Sequence, residues 1–456
     1  MKSSDKIFNK PLNKLKINNL NSPNNNKLKK VPPNTKKNKA HLNIIGELYS
    51  KKKYKQVIDE LTPFLKKYPK SVDGKNLLAL SYKQIGDFNR AINLFQSLIV
   101  EYPKEGFLSS NLANILYNQG KIALAIEQYK RCIRIDPLQN NAYCGLSNCY
   151  TELGRFNDAI IILKKALDNE PKDESVNFNL VNIYRNLEKY KEAIPCYSNT
   201  NILLSKSHQL ECYYLTNDKE NFLINLKKHE ESKILNPLAA CLSSHSSILY
   251  SQKNSYSFCK NPFDYIFSKN LMEHDVIGKS FMGEVKIALK ELKLDFKNQD
   301  LLKKGNQSSG NIFLTENKTI QKLKTIILKE IEYYKKSFNH STSGYIRSWP
   351  KNFQLYGWVV NISKGGSLSS HIHKEGWMSG SLYFEIPKKI LPNDGNIVFS
   401  MTGSHYPSNG YDFKEQVVEA TKGGMVLFPS SLFHHTIPFE SNEERMTIAF
   451  DVKPIY

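Results

Sequence analysis

The sequence predicts a multidomain chain: an all-α solenoid of repeated helical pairs, followed by a β-rich jelly-roll domain with flanking helices. Three observations carry this. Prolines stand at Pro69, Pro103, Pro137 and Pro171, each 34 residues after the last. Beyond about residue 353, short apolar runs alternate with Gly and Ser turns, and all three tryptophans (Trp349, Trp358, Trp377) lie in that last third. Three histidines, His371, His373 and His434, fall at the ends of such runs.

The chain opens on a basic stretch. Residues 1–40 hold eleven lysines and ten asparagines against one acid, Asp5. Few apolar residues and no sustained period predict a disordered tail. This tail supplies about half of the formal net charge of +21. The charge is therefore local, and nucleic acid is a partner only through the tail. No apolar segment has the length of a signal sequence or of a membrane span. Seven cysteines without CxxC spacing predict free thiols in a reducing, cytoplasmic setting.

Residues 41–235 form the solenoid. Gly86, Gly120 and Gly154 keep the 34-residue interval, as do Ala91, Ala125, Ala159 and Ala193. Glycine permits a tight turn between two helices. Alanine lets them approach, and proline stops the second helix before the next pair. Gly, Ala and Pro at a 34-residue period resemble the tetratricopeptide repeat. Five repeats begin near His41, Ser71, Glu105, Leu138 and Lys172. The first carries Lys52 and Val57 at the glycine and alanine positions; the fifth carries Glu188 for glycine and Pro195 within its second helix. A degenerate helical pair follows over 205–234. The resemblance implies a superhelix whose concave surface binds a protein or peptide, and by itself implies no enzyme activity.

Residues 236–456 form the second domain. Its start reads as a mixed connector broken by prolines and serines, with His245 a surface or packing residue without a partner. Apolar residues at helical spacing predict one amphipathic helix over 319–334. Strands are expected at 355–362, 378–386, 395–401, 416–420, 425–429 and 446–452, a regular series that predicts a sandwich or jelly roll.

The candidate chemistry lies among these strands. In an extended chain, side chains at i and i+2 point the same way. His371 and His373 therefore converge, and His434 arrives from another strand. Imidazole suits zinc, copper, iron and nickel, and three protein ligands leave positions open for catalysis.

Together with GNQSSGNIF, YGWVVNISKGGSLSSHIH, WMSGSLYFEIP, VLFPSSLFHHTIPF and ERMTIAFDV, these residues resemble the 2-oxoglutarate/Fe(II)-dependent oxygenases. The resemblance is closest to a bacterial and phage subgroup often fused to tetratricopeptide repeats. It implies Fe(II), 2-oxoglutarate and O2, oxidative decarboxylation to succinate and CO2, and hydroxylation of a substrate. It places His371 and His373 at the family's His-x-acid pair, His434 at the distal histidine, and Arg445 at the basic residue that binds the 2-oxoglutarate C5 carboxylate. A guanidinium suits that role through bidentate contact.

One residue departs from the family pattern: histidine stands at 373 where the carboxylate is usual. Two arrangements follow. Either His371, His373 and His434 are the ligands, which the distance to the SGSLYF strand favours, or His373 and Glu375 form a His-x-Glu pair with His371 behind them. Tyr356, Asn361 and Tyr383 are candidates for lining the cofactor pocket. His435 reads as structural, His405 as a surface residue, and Ser379 and Gly380 as shaping the turn into their strand. The rival to an oxygenase is a non-catalytic repeat adaptor whose jelly roll has decayed.

Overall fold

The structure, a computed structural model, describes residues 35–200, 204–232, 234–403 and 405–455, with 35–38 described in backbone only. The tail expected over 1–40 lies outside the described residues up to residue 34, and the first helix begins at Thr35. Ten helices form in pairs: α1 (Thr35–Ser50) and α2 (Tyr54–Lys67), α3 (Val72–Gln84) and α4 (Phe88–Glu101), α5 (Gly106–Asn118) and α6 (Ile122–Ile135), α7 (Asn140–Glu152) and α8 (Phe156–Asn169), α9 (Glu174–Asn186) and α10 (Tyr190–Ser198). From α1 to α9 each helix packs on the next, and α3, α5, α7 and α9 also meet one another. Ser71, Asp87 and Asp173 cap their helices by accepting from backbone N–H groups three residues on. The periodic prolines each stand two residues beyond α2, α4, α6 and α8.

Gly86, Gly120 and Gly154 have φ between 71° and 84°. Lys52 (φ 59°) and Glu188 (φ 56°) adopt the same left-handed turn in the atypical repeats, which glycine would enter at lower cost. The alanines Ala91, Ala125, Ala159 and Ala193 are wholly buried. Leucine at Ala125 would overpack α6, an error costing about 1–3 kcal/mol. Ala125→Leu should lower the melting temperature of the repeat unit and leave iron binding by the full chain unchanged, as calorimetric melts and metal analysis would read.

Two compact units emerge from the contacts: residues 35–187 with 195–200, and residues 188–194 with 204–455. The expected division at 235 differs. Helices α11 (Ser205–Leu215) and α12 (Lys219–Glu231) do form where a degenerate pair was expected, but Leu210, Tyr214, Phe222 and Leu226 belong to the apolar core of the second unit. The expected connector is also different. Residues Pro237–Leu249 form one buried helix, α13, with Asn236 as N-cap and Pro237 in its first turn. Two of its serines bond within the helix, Ser246 Oγ donating to Ser243 O and Ser247 Oγ to Ser244 O, while Ser243 Oγ donates to Asn254 Oδ1 and Ser244 Oγ accepts from the Asn254 amide.

Beyond α13 come β1 (Phe267–Asn270), α14 (Lys279–Glu291), β2 (Phe296–Lys297), β3 (Leu302–Ser308), α15 (Lys318–Ser337) and the short α16 (Gly344–Arg347). Seven strands follow: β4 (Phe353–Leu368), β5 (Met378–Glu385), β6 (Ile397–Ser400), β7 (Glu415–Val418), β8 (Gly424–Pro429), β9 (Phe433–Thr436) and β10 (Arg445–Pro454). They make a jelly roll of two antiparallel sheets. The larger has the order β1-β8-β5-β10-β4-β3-β2, the smaller β7-β6-β9. The central strands β8, β5 and β10 of the larger sheet are buried on both faces, and its edge strand β2 is exposed. Leu382, Phe384, Val359, Ile448 and Phe450 pack toward the helices, among them Val285 of α14 and Ile327 of α15. Tyr383, Val426 and Phe428 turn the other way, against Ile397 and Phe399 of the smaller sheet. Strand parity decides which residues enter the space between the sheets.

Candidate metal centre

Three elements bring the histidines together. His371 follows β4, His373 lies in the turn before β5, and His434 is on β9. An isolated antiparallel bridge joins the first and third: His371 N–H donates to His434 O at 3.1 Å, and His434 N–H to His371 O at 3.0 Å. A ring nitrogen from each histidine lies within 4.8 Å of the others. The Nε2 atoms of His371 and His373 are 3.1 Å apart.

The opposite nitrogens are each held by an acceptor. His371 Nδ1 lies 2.8 Å from Ser369 O, His434 Nδ1 3.4 Å from Leu432 O, and His373 Nδ1 2.6 Å from Asp451 Oδ1. A carbonyl or carboxylate can only accept, so the proton sits on Nδ1 and Nε2 is the nitrogen that can ligate. Burial drives the pKa of His434 well below its usual value, and the neighbouring His371 and His373 add to this. The three converging imidazoles thus make a donor set that suits a first-row divalent metal.

Asp451, on β10, was not singled out by the sequence reading. Burial would raise its pKa, but the His373 imidazole, Lys453 and Ser379 outweigh that and hold it low. Only its parity with Arg445 on a strand whose alternate residues turn inward would have marked it. Ser379 is likewise more than a turn residue. It sits within β5, donates to Asp451 Oδ1 at 2.8 Å, and contacts Ser430 Oγ at 2.7 Å. Gly380 beside it leaves room for the Phe450 ring, which any Cβ there would strike.

Arg445 is 4% exposed and makes no ion pair among the described residues. Its guanidinium lies over the Tyr383 ring, 5.1 Å from the centroid. Arg445 Nε, Tyr383 Oη and Thr447 Oγ1 are buried without a hydrogen-bond partner among the described residues. Burial lowers the Arg445 pKa and raises that of Tyr383, each partly offset by the other. A guanidinium stays charged, and a buried charge without a counterion is costly. These orphaned donors fit a carboxylate. Tyr383 shares its apolar cluster with Phe399 and Phe428, whose rings stand 6.3 Å and 4.7 Å from His434. The guanidinium and the histidines therefore border one interior.

The other candidates divide. Tyr356 pairs with Asp451 across β4 and β10, and its ring lies 6.0 Å from Trp358, itself 5.5 Å from His373. It borders the histidine end of the interior. Asn361 alternates onto the helix-covered face with Val359, and its amide donates to Asn306 Oδ1 at 3.3 Å. The structure does not bring it to the site. Glu375 pairs with Lys453 at 3.2 Å and stands outside the histidine group. His405 is exposed, and His435 turns away from the triad beside Val398. His245 is a packing residue, as one of its two expected readings has it, but it is not without partners. It is wholly buried, between the Tyr214 hydroxyl at 2.5 Å and Thr402 Oγ1 at 3.0 Å, and burial pushes its pKa down to about 4.

A helical-repeat solenoid joined to a jelly roll with three converging imidazoles defines a class: repeat proteins that carry a double-stranded β-helix with a candidate metal centre. Residues 356–451 match the family model described as "Putative 2OG-Fe(II) oxygenase". Residues 76–140, 116–177 and 174–198 match tetratricopeptide repeat models. The chain is a fusion of tetratricopeptide repeats with a domain of that oxygenase family. No curated protein matches it. Among solved structures, it is similar to the thermophilic tetratricopeptide protein TTC0263 of Thermus thermophilus, at 20% identity over 38% of this chain and 98% of that one, with a TM-score of 0.33. It is also similar to pilF of Pseudomonas aeruginosa, at 13% identity over 44% and 94%, with a TM-score of 0.37. No helix among the described residues is long and apolar enough to cross a membrane.

Proposed function

We propose that the second unit is a 2-oxoglutarate- and iron(II)-dependent oxygenase, and that the repeats present its protein or peptide substrate or a partner. The observation that carries this reading is the convergence of three imidazoles, each with Nδ1 tied to an acceptor and Nε2 turned toward the other rings. Bound iron with 2-oxoglutarate and O2 would supply oxidative decarboxylation to succinate and CO2, coupled to hydroxylation. His371, His373 and His434 hold the metal and leave positions open. Arg445 grips the distal carboxylate of the 2-oxo acid, with the Tyr383 hydroxyl and Thr447 as further donors to it. Phe399 and Phe428 keep water from the His434 side.

The platform reading has its own support. Asn114, Asn148 and Asn182 recur at 34-residue intervals on α5, α7 and α9, each half-buried. A primary amide donates and accepts at once, which matches the alternating groups of a peptide backbone, although Asn114 Oδ1 already accepts from Tyr129 Oη at 2.7 Å. All seven cysteines are free and buried, Cys144 and Cys149 with thiol pKa values pushed up to about 12, as suits a chain of the reducing cytoplasm.

The test is anaerobic loading of the full chain with Fe(II), then 2-oxoglutarate and oxygen. Succinate formed in proportion to iron is the expected result. A chain that binds iron and 2-oxoglutarate tightly yet forms no succinate with any offered peptide would favour the non-catalytic adaptor.

A further inference from the structure

Three neutral imidazoles bring no negative charge to a divalent cation. The His-x-acid pattern that the sequence departs from would bring one. In this chain a buried carboxylate stands one imidazole further back. Asp451 is 3% exposed, and its Oδ1 lies 2.6 Å from His373 Nδ1. It is held there by construction. Ser379 Oγ donates to the same oxygen at 2.8 Å and meets Ser430 Oγ at 2.7 Å. Gly376 leaves the space free: a Cβ there would fall 2.6 Å from Ser430 Oγ and 3.3 Å from Asp451 Cγ. The nearby ammonium of Lys453 is directed to Glu375, at 3.2 Å. His371 and His434 turn Nδ1 to neutral carbonyls instead.

We infer that Asp451 supplies, through His373, the negative charge that the metal ligands lack, and is the positioning residue that fixes His373 as the strongest donor of the three. The inference rests on the metal-site reading above. The physical basis is that a carboxylate accepting the far N–H of a ligating imidazole locks its tautomer and raises its basicity. Such partners govern metal affinity by about 10–100-fold. The displaced carboxylate also gives the departure at position 373 a meaning: the charge sits one ring away, where it occupies no coordination position.

The test is anaerobic titration of the full-length chain with Fe(II), and with Co(II) as a spectroscopic probe. Asp451→Asn keeps the shape and removes the charge. It should weaken Fe(II) binding about 10–100-fold, shift the Co(II) ligand-field bands, and raise the Fe(III)/Fe(II) midpoint potential. Glu375→Gln, which changes only the outlying carboxylate, should leave all three unchanged. If Asp451→Asn does not fold, Asp451→Ser replaces it with the same expectations. A folded Asp451 variant with the wild-type affinity and potential overturns the inference, as does a Glu375→Gln effect equal to that of Asp451→Asn. Wild-type protein that binds neither metal overturns the site itself, a result distinct from wild-type binding that is indifferent to Asp451.

Discussion

Alanine at His434 should leave a folded chain that no longer holds iron in stoichiometric amount, and alanine at His371 or His373 should do the same. The bridge between His371 and His434 is made by backbone groups at 3.0 and 3.1 Å, so removing either ring does not unpair it. Two Nε2 atoms 3.1 Å apart stand where one cation can meet both. The expected signature is therefore a linkage effect. Iron binding to the native state alone raises the melting temperature of the wild-type chain with rising iron concentration. Each histidine variant should melt near the iron-free wild type and stay there as iron is added. Glu375→Ala should retain both iron and the shift, because its ion pair with Lys453 is partly exposed and such pairs are worth little. Metal loss in Glu375→Ala with retention in His371→Ala would restore the His-x-Glu arrangement.

Arg445→Ala should weaken 2-oxoglutarate binding by about two orders of magnitude while iron stays bound, since removing a partner from a charged group typically costs a few kcal/mol. The buried guanidinium has no counterion of its own, and the Tyr383 face is its one favourable neighbour among the described residues. Such a group burdens the fold until an anion arrives. Arg445→Met, which fills the space without the charge, should thus match or exceed the wild-type melting temperature in the absence of 2-oxoglutarate. Added 2-oxoglutarate should raise the melting temperature of the iron-loaded wild type and leave that of Arg445→Met unmoved. Calorimetry under anaerobic conditions reads both quantities. Equal affinity in Arg445→Ala would remove the arginine from the site.

The repeats and the three histidines were legible because both are written in spacing. A 34-residue interval or an i, i+2 pair survives without knowledge of what packs where. Strand β9 was not legible: it lies between Pro429 and Pro438 and reads Phe-His-His-Thr, so no apolar alternation marks it. Helix α13 was hidden by composition. Its serines suggest a loop, and the linear sequence does not reveal that they are satisfied by the helix backbone and by Asn254. Asn361 was misplaced by one step of alternation, enough to carry it to the other face of the sheet. Asp451 and His245 were missed for a common reason. Their partners lie 78 residues away at His373 and 157 residues away at Thr402, so no local pattern announces either.

The apolar floor beneath the larger sheet runs from Leu210 on α11 to Val452 on β10. The stretch that carries the family likeness, 356–451, includes every histidine of the triad and the arginine, but little of that floor. What is recognisable by descent is thus smaller than what must collapse together. A gene segment cut to the likeness would carry the chemistry without its foundation. Moving this chemistry into a new protein would mean transplanting the helices from α11 onward, or building a substitute for them.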